Sequence, residues 1–225
     1  GKTPVAHHIV SGLVGLLAVV FTFYLTRRLM WVIDPVNKQR AVWIAMLTSF
    51  FMAVSSWHVV LSRTAFRANL IPLFTTLTFF CLITSVQATT RVKRYLLSIA
   101  TGAVFAVGFY SYIAYRIMVP LLVILVLWPI LVDLFAKPRF EQIKKFFFPA
   151  IVAGIAFLIF IAPLAHYFYT HAGSFVGRSG QVSVFNPELN QGDLIGTVGQ
   201  VAWLSIKAYF IDGDLNWRHN ISDQA

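Results

Sequence analysis

The sequence predicts an all-α fold, a multi-pass bundle of transmembrane helices, and three observations carry that prediction. Of the 225 residues, 58% are hydrophobic and 12% are charged. Soluble domains run at roughly 45–50% apolar and about 25% charged, because a soluble fold needs polar surface around its core. The mean hydropathy is +0.75. The apolar residues also gather into runs about as long as a bilayer is thick. These runs do not alternate with period two, so helices rather than barrel strands should make the crossings. Together these features exclude a soluble enzyme, a disordered tail and a DNA-binding module.

A spanning helix needs about 20 mostly apolar residues. Reading between charged residues gives about six such segments: 9–26, 41–61, 68–90, 95–115, 117–132 and 146–165. The first ends at Arg27 and Arg28, where a cleaved signal peptide would need small residues. The second lies between Arg40 and Arg63, the third between Arg67 and Arg91, and the fourth between Arg94 and Arg116. The fifth is short, so it either extends through Arg116 or ends partly buried. The sixth follows Lys145. Pro72, Pro120, Pro129, Pro149 and Pro163 lie in or near these runs, and membrane helices tolerate proline better than soluble ones. Ser11 with Gly15, Gly102 with Ala106, and Ala150 with Gly154 pair small residues four apart, which lets helices approach closely.

The division is therefore a transmembrane region over 1–168 and an external loop or interfacial segment over 169–225. That second segment is rich in Gly, Asn and Pro up to Asp193, then turns helical or interfacial over 194–211. The chain begins at Gly1 and ends in a polar stretch, which reads as an internal fragment of a longer protein.

The net charge is +10. The basic residues sit in short clusters between apolar runs, which speaks for cytoplasmic loops and not for nucleic acid. Arg27, Arg28, Lys38 and Arg40 follow the first run, Arg91, Lys93 and Arg94 the third, and Lys137, Arg139, Lys144 and Lys145 the fifth. The other two gaps hold only Arg63, Arg67 and Arg116. The positive-inside rule puts the three rich gaps in the cytoplasm, and residue 1 and the 169–225 tail outside. Six crossings require both ends on one side, so the count is self-consistent. The expected location is a bacterial cytoplasmic membrane. Cys81 is the single cysteine, so the chain has no internal disulfide and no cysteine-based zinc site.

Arg63 and Arg67 break the charge rule. On one helix, at i and i+4, they would share a face. Arginine matches phosphate with a planar fork, so a lipid-linked phosphate at the outer leaflet is one ligand. Snorkelling to outer headgroups is the other reading. His58 is near enough in sequence to reach the same pocket. Tyr110, Tyr112 and Tyr115 beside Arg116 serve either as interface anchors or as a polar pocket around an anion. Asp214, Trp217 and His219 suit sugar or peptide contacts, or form a solvated loop. His7 and His8 are adjacent and cannot share one helix-borne metal site. The chain shows no Ser-His-Asp arrangement, Gly-rich phosphate loop or paired buried carboxylate. No acid lies mid-membrane, which weakens an ion-coupled transporter.

The stretch Ser62-Arg63-Thr-Ala-Phe-Arg67-Ala-Asn-Leu-Ile-Pro72 resembles a segment of bacterial membrane glycosyltransferases of the C-type (GT-C) fold. The nearest group is that of the dolichyl-phosphate-mannose-protein mannosyltransferases and the aminoarabinose transferase of lipid A. Gly108-Phe-Tyr-Ser-Tyr-Ile-Ala-Tyr-Arg116 is similar to a helix end of that group, and segments 181–187 and 213–220 resemble parts of a bacterial subgroup. The resemblance implies an inverting transferase that moves a sugar from a polyprenyl-phosphate donor to a protein, lipid or glycan acceptor on the outer face. It implies a general base in an external loop that would precede Gly1, so the fragment by itself should be inactive. Arg63, Arg67 and Arg116 would face the donor phosphate, Tyr112 and His58 would assist, and Asp214, Trp217 and His219 would border the acceptor. No cofactor is expected, and the need for a divalent metal stays open because the coordinating loop is not in the chain. A transporter or flippase for a lipid-linked molecule, and a non-catalytic membrane scaffold, are the competing readings.

Overall fold

Two adjacent serines interrupt the second apolar run. In the computed structural model, which describes residues 4–135, 141–171, 173–174 and 183–210, helix α2 (Lys38–Val54) stops at Ser55. Ser55 is extended, with φ −62° and ψ 125°. Helix α3 (Ser56–Arg63) then leaves at an angle of 57°. Serine hydroxyls compete for backbone partners, and serine pairs are a known place for helices to bend.

The remaining apolar runs are also helical. Helix α1 covers Pro4–Ile33, α4 Leu70–Val86, α5 Arg91–Phe109, α6 Met118–Phe135 and α7 Glu141–Thr170. Short 3₁₀ turns at Arg67–Asn69 and Ile113–Ile117 lead into α4 and α6. Among the described residues there is no strand.

Four helical segments are long and apolar enough to cross a membrane: Val5–Ile33, Arg67–Val86, Arg91–Phe109 and Phe147–Thr170. The bent α2–α3 pair makes a fifth if it counts as one span. Within the fifth run an apolar stretch covers Ile113–Trp128, and helix α6 extends to Phe135. Among the described residues the candidates thus number four, or five with the bent pair, where the sequence predicts about six. Large apolar side chains remain exposed along these helices, among them Leu16, Phe50, Leu96 and Leu158. Water would not tolerate that surface, whereas lipid does, as expected of an integral membrane protein.

Small residues set the packing. Ala41, Ala45 and Ser49 are buried on one stripe of α2, and Ala18 and Thr22 are buried on α1. Thr22 donates its Oγ1–H to the carbonyl of Ala18 at 2.8 Å, which satisfies the hydroxyl within its own helix. Gly102 lies so close to α7 that a Cβ there would strike the Ala153 carbonyl and the Phe157 amide. Of the three small-residue pairs, Ser11 with Gly15 and Gly102 with Ala106 are buried, as close packing requires. Gly154 is exposed, and a Cβ on it would meet nothing within 4 Å. The third pair therefore does not hold helices together.

The chain divides into two compact units, 1–164 and 165–225. In the second, α8 (Pro187–Asn190) is capped by the Asn186 side chain, which accepts from the Glu188 amide. Helix α9 (Leu194–Phe210) begins at Asp193, whose carboxylate accepts from the Gly196 amide at 2.8 Å. Both caps answer the unpaired amides of a helix start.

Candidate functional site

The loop between α3 and α4 forms one wall of a cavity of about 310 Å³. The first half of α1 forms the other. Its lining includes His7, Ser11, Phe66, Arg67 and Asn69.

The loop has this shape because α3 ends at Arg63 and does not continue to Arg67. Ala65 takes φ +53°, in the left-handed region that side chains with a Cβ rarely adopt. Arg63 and Arg67 therefore do not stand one turn apart on a single helix, contrary to the i, i+4 expectation. Both are exposed, but Arg67 lines the cavity and Arg63 is not among its lining residues. The backbone carbonyl of Arg63 pairs with His8 Nδ1 at 2.5 Å, tying the end of α3 to α1.

Beneath the cavity lies a buried polar network. Asn69 is 2% exposed. Its Nδ2 donates to the carbonyl of Ser11 at 2.8 Å and to the Ser11 hydroxyl at 3.1 Å. Ser62 lies 3.3 Å from Asn69 Oδ1 and donates to the carbonyl of His58 at 2.7 Å. His58 Nε2 pairs with the carbonyl of Gly15 at 3.2 Å. Each polar group finds a partner, as buried groups must. This corrects the expectation for His58: its ring joins α3 to α1 and does not line the cavity.

The loop between α5 and α6 meets the α3–α4 loop through aromatic contact. Tyr112 packs edge-on against Phe66, with ring centroids 5.5 Å apart. Tyr110 donates to the Phe160 carbonyl at 2.9 Å and so joins this loop to α7. Tyr115 is fully buried among Phe105, Phe109 and the backbone of Gly108, with its hydroxyl 3.4 Å from Thr78 Oγ1. The three tyrosines are thus a loop contact, a helix tie and a core residue, which excludes an interface-anchor role for Tyr115. Arg116 follows on the same 3₁₀ turn and is half-buried.

Phe66, next to Arg67 in the chain, touches Tyr112, so the loops that carry Arg67 and Tyr112 meet. Asp214, Trp217 and His219 lie outside the described residues. Among the described residues, no three His, Cys, Asp or Glu side chains stand together as a metal site. His7, Ser11 and Asn69 are cavity residues that the sequence did not single out for the site. The signal for Asn69 was an amide between Arg67 and Pro72 at the start of an apolar run. The signal for Ser11 was its four-residue spacing from Gly15, which accounts for packing but not for the bond to Asn69.

The cavity can hold an anionic group against a cationic side chain, with amide and hydroxyl groups fixed behind it. No family model, curated protein or solved structure matches this chain.

Proposed function

We propose that this chain is part of a membrane glycosyltransferase that moves a sugar from a polyprenyl-phosphate donor to an acceptor on the extracytoplasmic face. The observation that carries the reading is Arg67 on the wall of a cavity at the helix ends remote from the basic clusters. By the positive-inside rule that end is outside. A donor of this class keeps its chain in the bilayer and its phosphate at the surface. A guanidinium there holds the phosphate and stabilises the charge that grows on it as the sugar leaves. Arg67 is the first candidate for that contact. Arg116 and Tyr112, on the adjoining loop, are the second, and Arg63 adds positive potential from the end of α3. Asp214, Trp217 and His219 stay candidates for the acceptor side.

The test is retention of a labelled polyprenyl-phosphate sugar by the purified protein, compared with the same sugar on a neutral polyprenol. A charge-assisted hydrogen bond contributes about 1.5–3 kcal/mol, so Arg67→Ala should weaken donor retention roughly tenfold to hundredfold. Wild-type retention by Arg67→Ala, or equal retention of the neutral polyprenol, overturns the reading. Donor retention followed by translocation between leaflets, with no sugar transferred to any acceptor, would favour a flippase instead.

A further inference from the structure

A larger cleft in the first unit lies elsewhere. It measures about 1020 Å³, at the upper limit of the roughly 300–1,000 Å³ usual for small-molecule pockets. Leu29, Phe79, Ile83, Leu125 and Trp128 are among its walls, drawn from α1, α4 and α6. Leu29 and Trp128 remain 43% and 65% exposed, so the cleft opens sideways to whatever surrounds the helices. In a bilayer that is acyl chain.

One end of this apolar cleft is strongly basic. Arg94 is part of its lining. Its guanidinium donates to the Ala88 carbonyl at 2.9 Å, which holds the side chain in place. Its Nε is buried without a hydrogen-bond partner. Arg91 and Lys93 share the first turn of α5 with it, and no acid stands in that turn. A helix start already carries partial positive charge. Three cations there repel one another and the helix unless an anion is close. Apolar walls with a cationic mouth are complementary to a molecule with a hydrocarbon chain and an anionic head.

We propose that this cleft holds one anionic glycerophospholipid of the surrounding bilayer, with an acyl chain against Phe79, Ile83 and Leu125 and its phosphate at Arg94. The occupant is a structural lipid in the leaflet of the basic clusters, at the end of the bundle opposite the Arg67 cavity. This assignment does not depend on glycosyl transfer. Basic pockets between transmembrane helices on the cytoplasmic side select anionic headgroups, a basic side chain at the headgroup adding about 1 kcal/mol; of the three cations Arg94 lines the cleft and Arg91 and Lys93 do not, and a neutral headgroup gains none of this.

The experiment is native mass spectrometry of the purified full chain, with lipid retained from mixed micelles. The probes are dioleoyl phosphatidylglycerol, dioleoyl phosphatidylcholine and undecaprenyl phosphate, each supplied alone. One phosphatidylglycerol should be retained, with a preference of about fivefold or more over phosphatidylcholine. Arg94→Gln should abolish that preference, while Arg91→Gln with Lys93→Gln should keep most of it. Equal retention of the two phospholipids overturns the proposal. So does loss of preference in the double variant alone, which would indicate diffuse surface charge. Tighter Arg94-dependent retention of undecaprenyl phosphate would assign the cleft to a polyprenyl lipid and overturn it as well. If Arg94→Gln does not fold, Ile83→Trp fills the cleft with Arg94 intact. That variant should lose the bound phosphatidylglycerol, and undiminished retention would overturn the assignment.

Discussion

Asn69 and Ser11 are joined across 58 residues by two hydrogen bonds from one amide nitrogen, at 2.8 Å to the carbonyl and 3.1 Å to the hydroxyl. Through them the loop after α3 is fastened to the first helix, and the wall of the Arg67 cavity is fastened with it. Interhelical polar contacts in membranes average about 0.6 kcal/mol and reach about 1.7 kcal/mol. Asn69 belongs at the upper end, because it is buried and serves three hydrogen bonds. Asn69→Leu should therefore lower stability by about 1–2 kcal/mol, read as a lower thermal midpoint in detergent. An unchanged midpoint would show that the network contributes position but not stability.

At Gly15, α3 packs close against α1. A Cβ there would land on the Ser62 hydroxyl, whereas a Cβ on Gly12 would meet nothing within 4 Å. Gly15→Ala should cost about 1–3 kcal/mol by overpacking, and Gly12→Ala should be neutral or slightly stabilising. Ser62→Gly should recover part of the Gly15→Ala loss in a double-mutant cycle. Additive effects of the two substitutions would rule out direct contact.

Gly102 and Gly154 give a second matched pair. Added methyl groups would strike the backbone of α7 at Gly102 and open space at Gly154. Backbone atoms cannot rotate aside, so Gly102→Ala should separate α5 from α7 and destabilise by about 1–3 kcal/mol. Gly154→Ala should leave the melting curve in place. Equal sensitivity at the two positions would refute the packing described.

Tyr115 separates burial from hydrogen bonding. Its ring is enclosed by Phe105 and Phe109, while its hydroxyl stands 3.4 Å from Thr78 Oγ1. Tyr115→Phe should cost under about 1 kcal/mol, and Tyr115→Ala about 3–5 kcal/mol. A large loss with phenylalanine would mean that the hydroxyl, and not the ring, holds the loop between α5 and α6.

Sidedness is open to direct measurement. Cys81 is buried, so single-cysteine variants on a Cys81→Ala background report accessibility cleanly. Val36→Cys lies in the loop after α1, and Thr64→Cys in the loop after α3. An impermeant thiol reagent should label Thr64→Cys in intact cells and Val36→Cys only after permeabilisation. The reverse pattern would place the Arg67 cavity in the cytoplasm and remove the basis for an external transfer reaction.

The sequence by itself determined the helices, because a run of apolar residues flanked by charges has one stable backbone form in lipid. It also determined which gaps are basic, since charge is a property of residues and not of their arrangement. It did not determine that the second run bends at Ser55 or that α3 ends at Arg63. Spacing alone put Arg63 and Arg67 on one face, whereas Ala65 in the left-handed region turned the chain between them. Only tertiary structure decided that His58 reaches Gly15, that Tyr115 is core, and that Asn69 binds Ser11. The physical reason is that hydropathy is a local sum over neighbouring residues. A hydrogen bond across 58 residues depends instead on which helices meet, and small residues allow that meeting without announcing their partner.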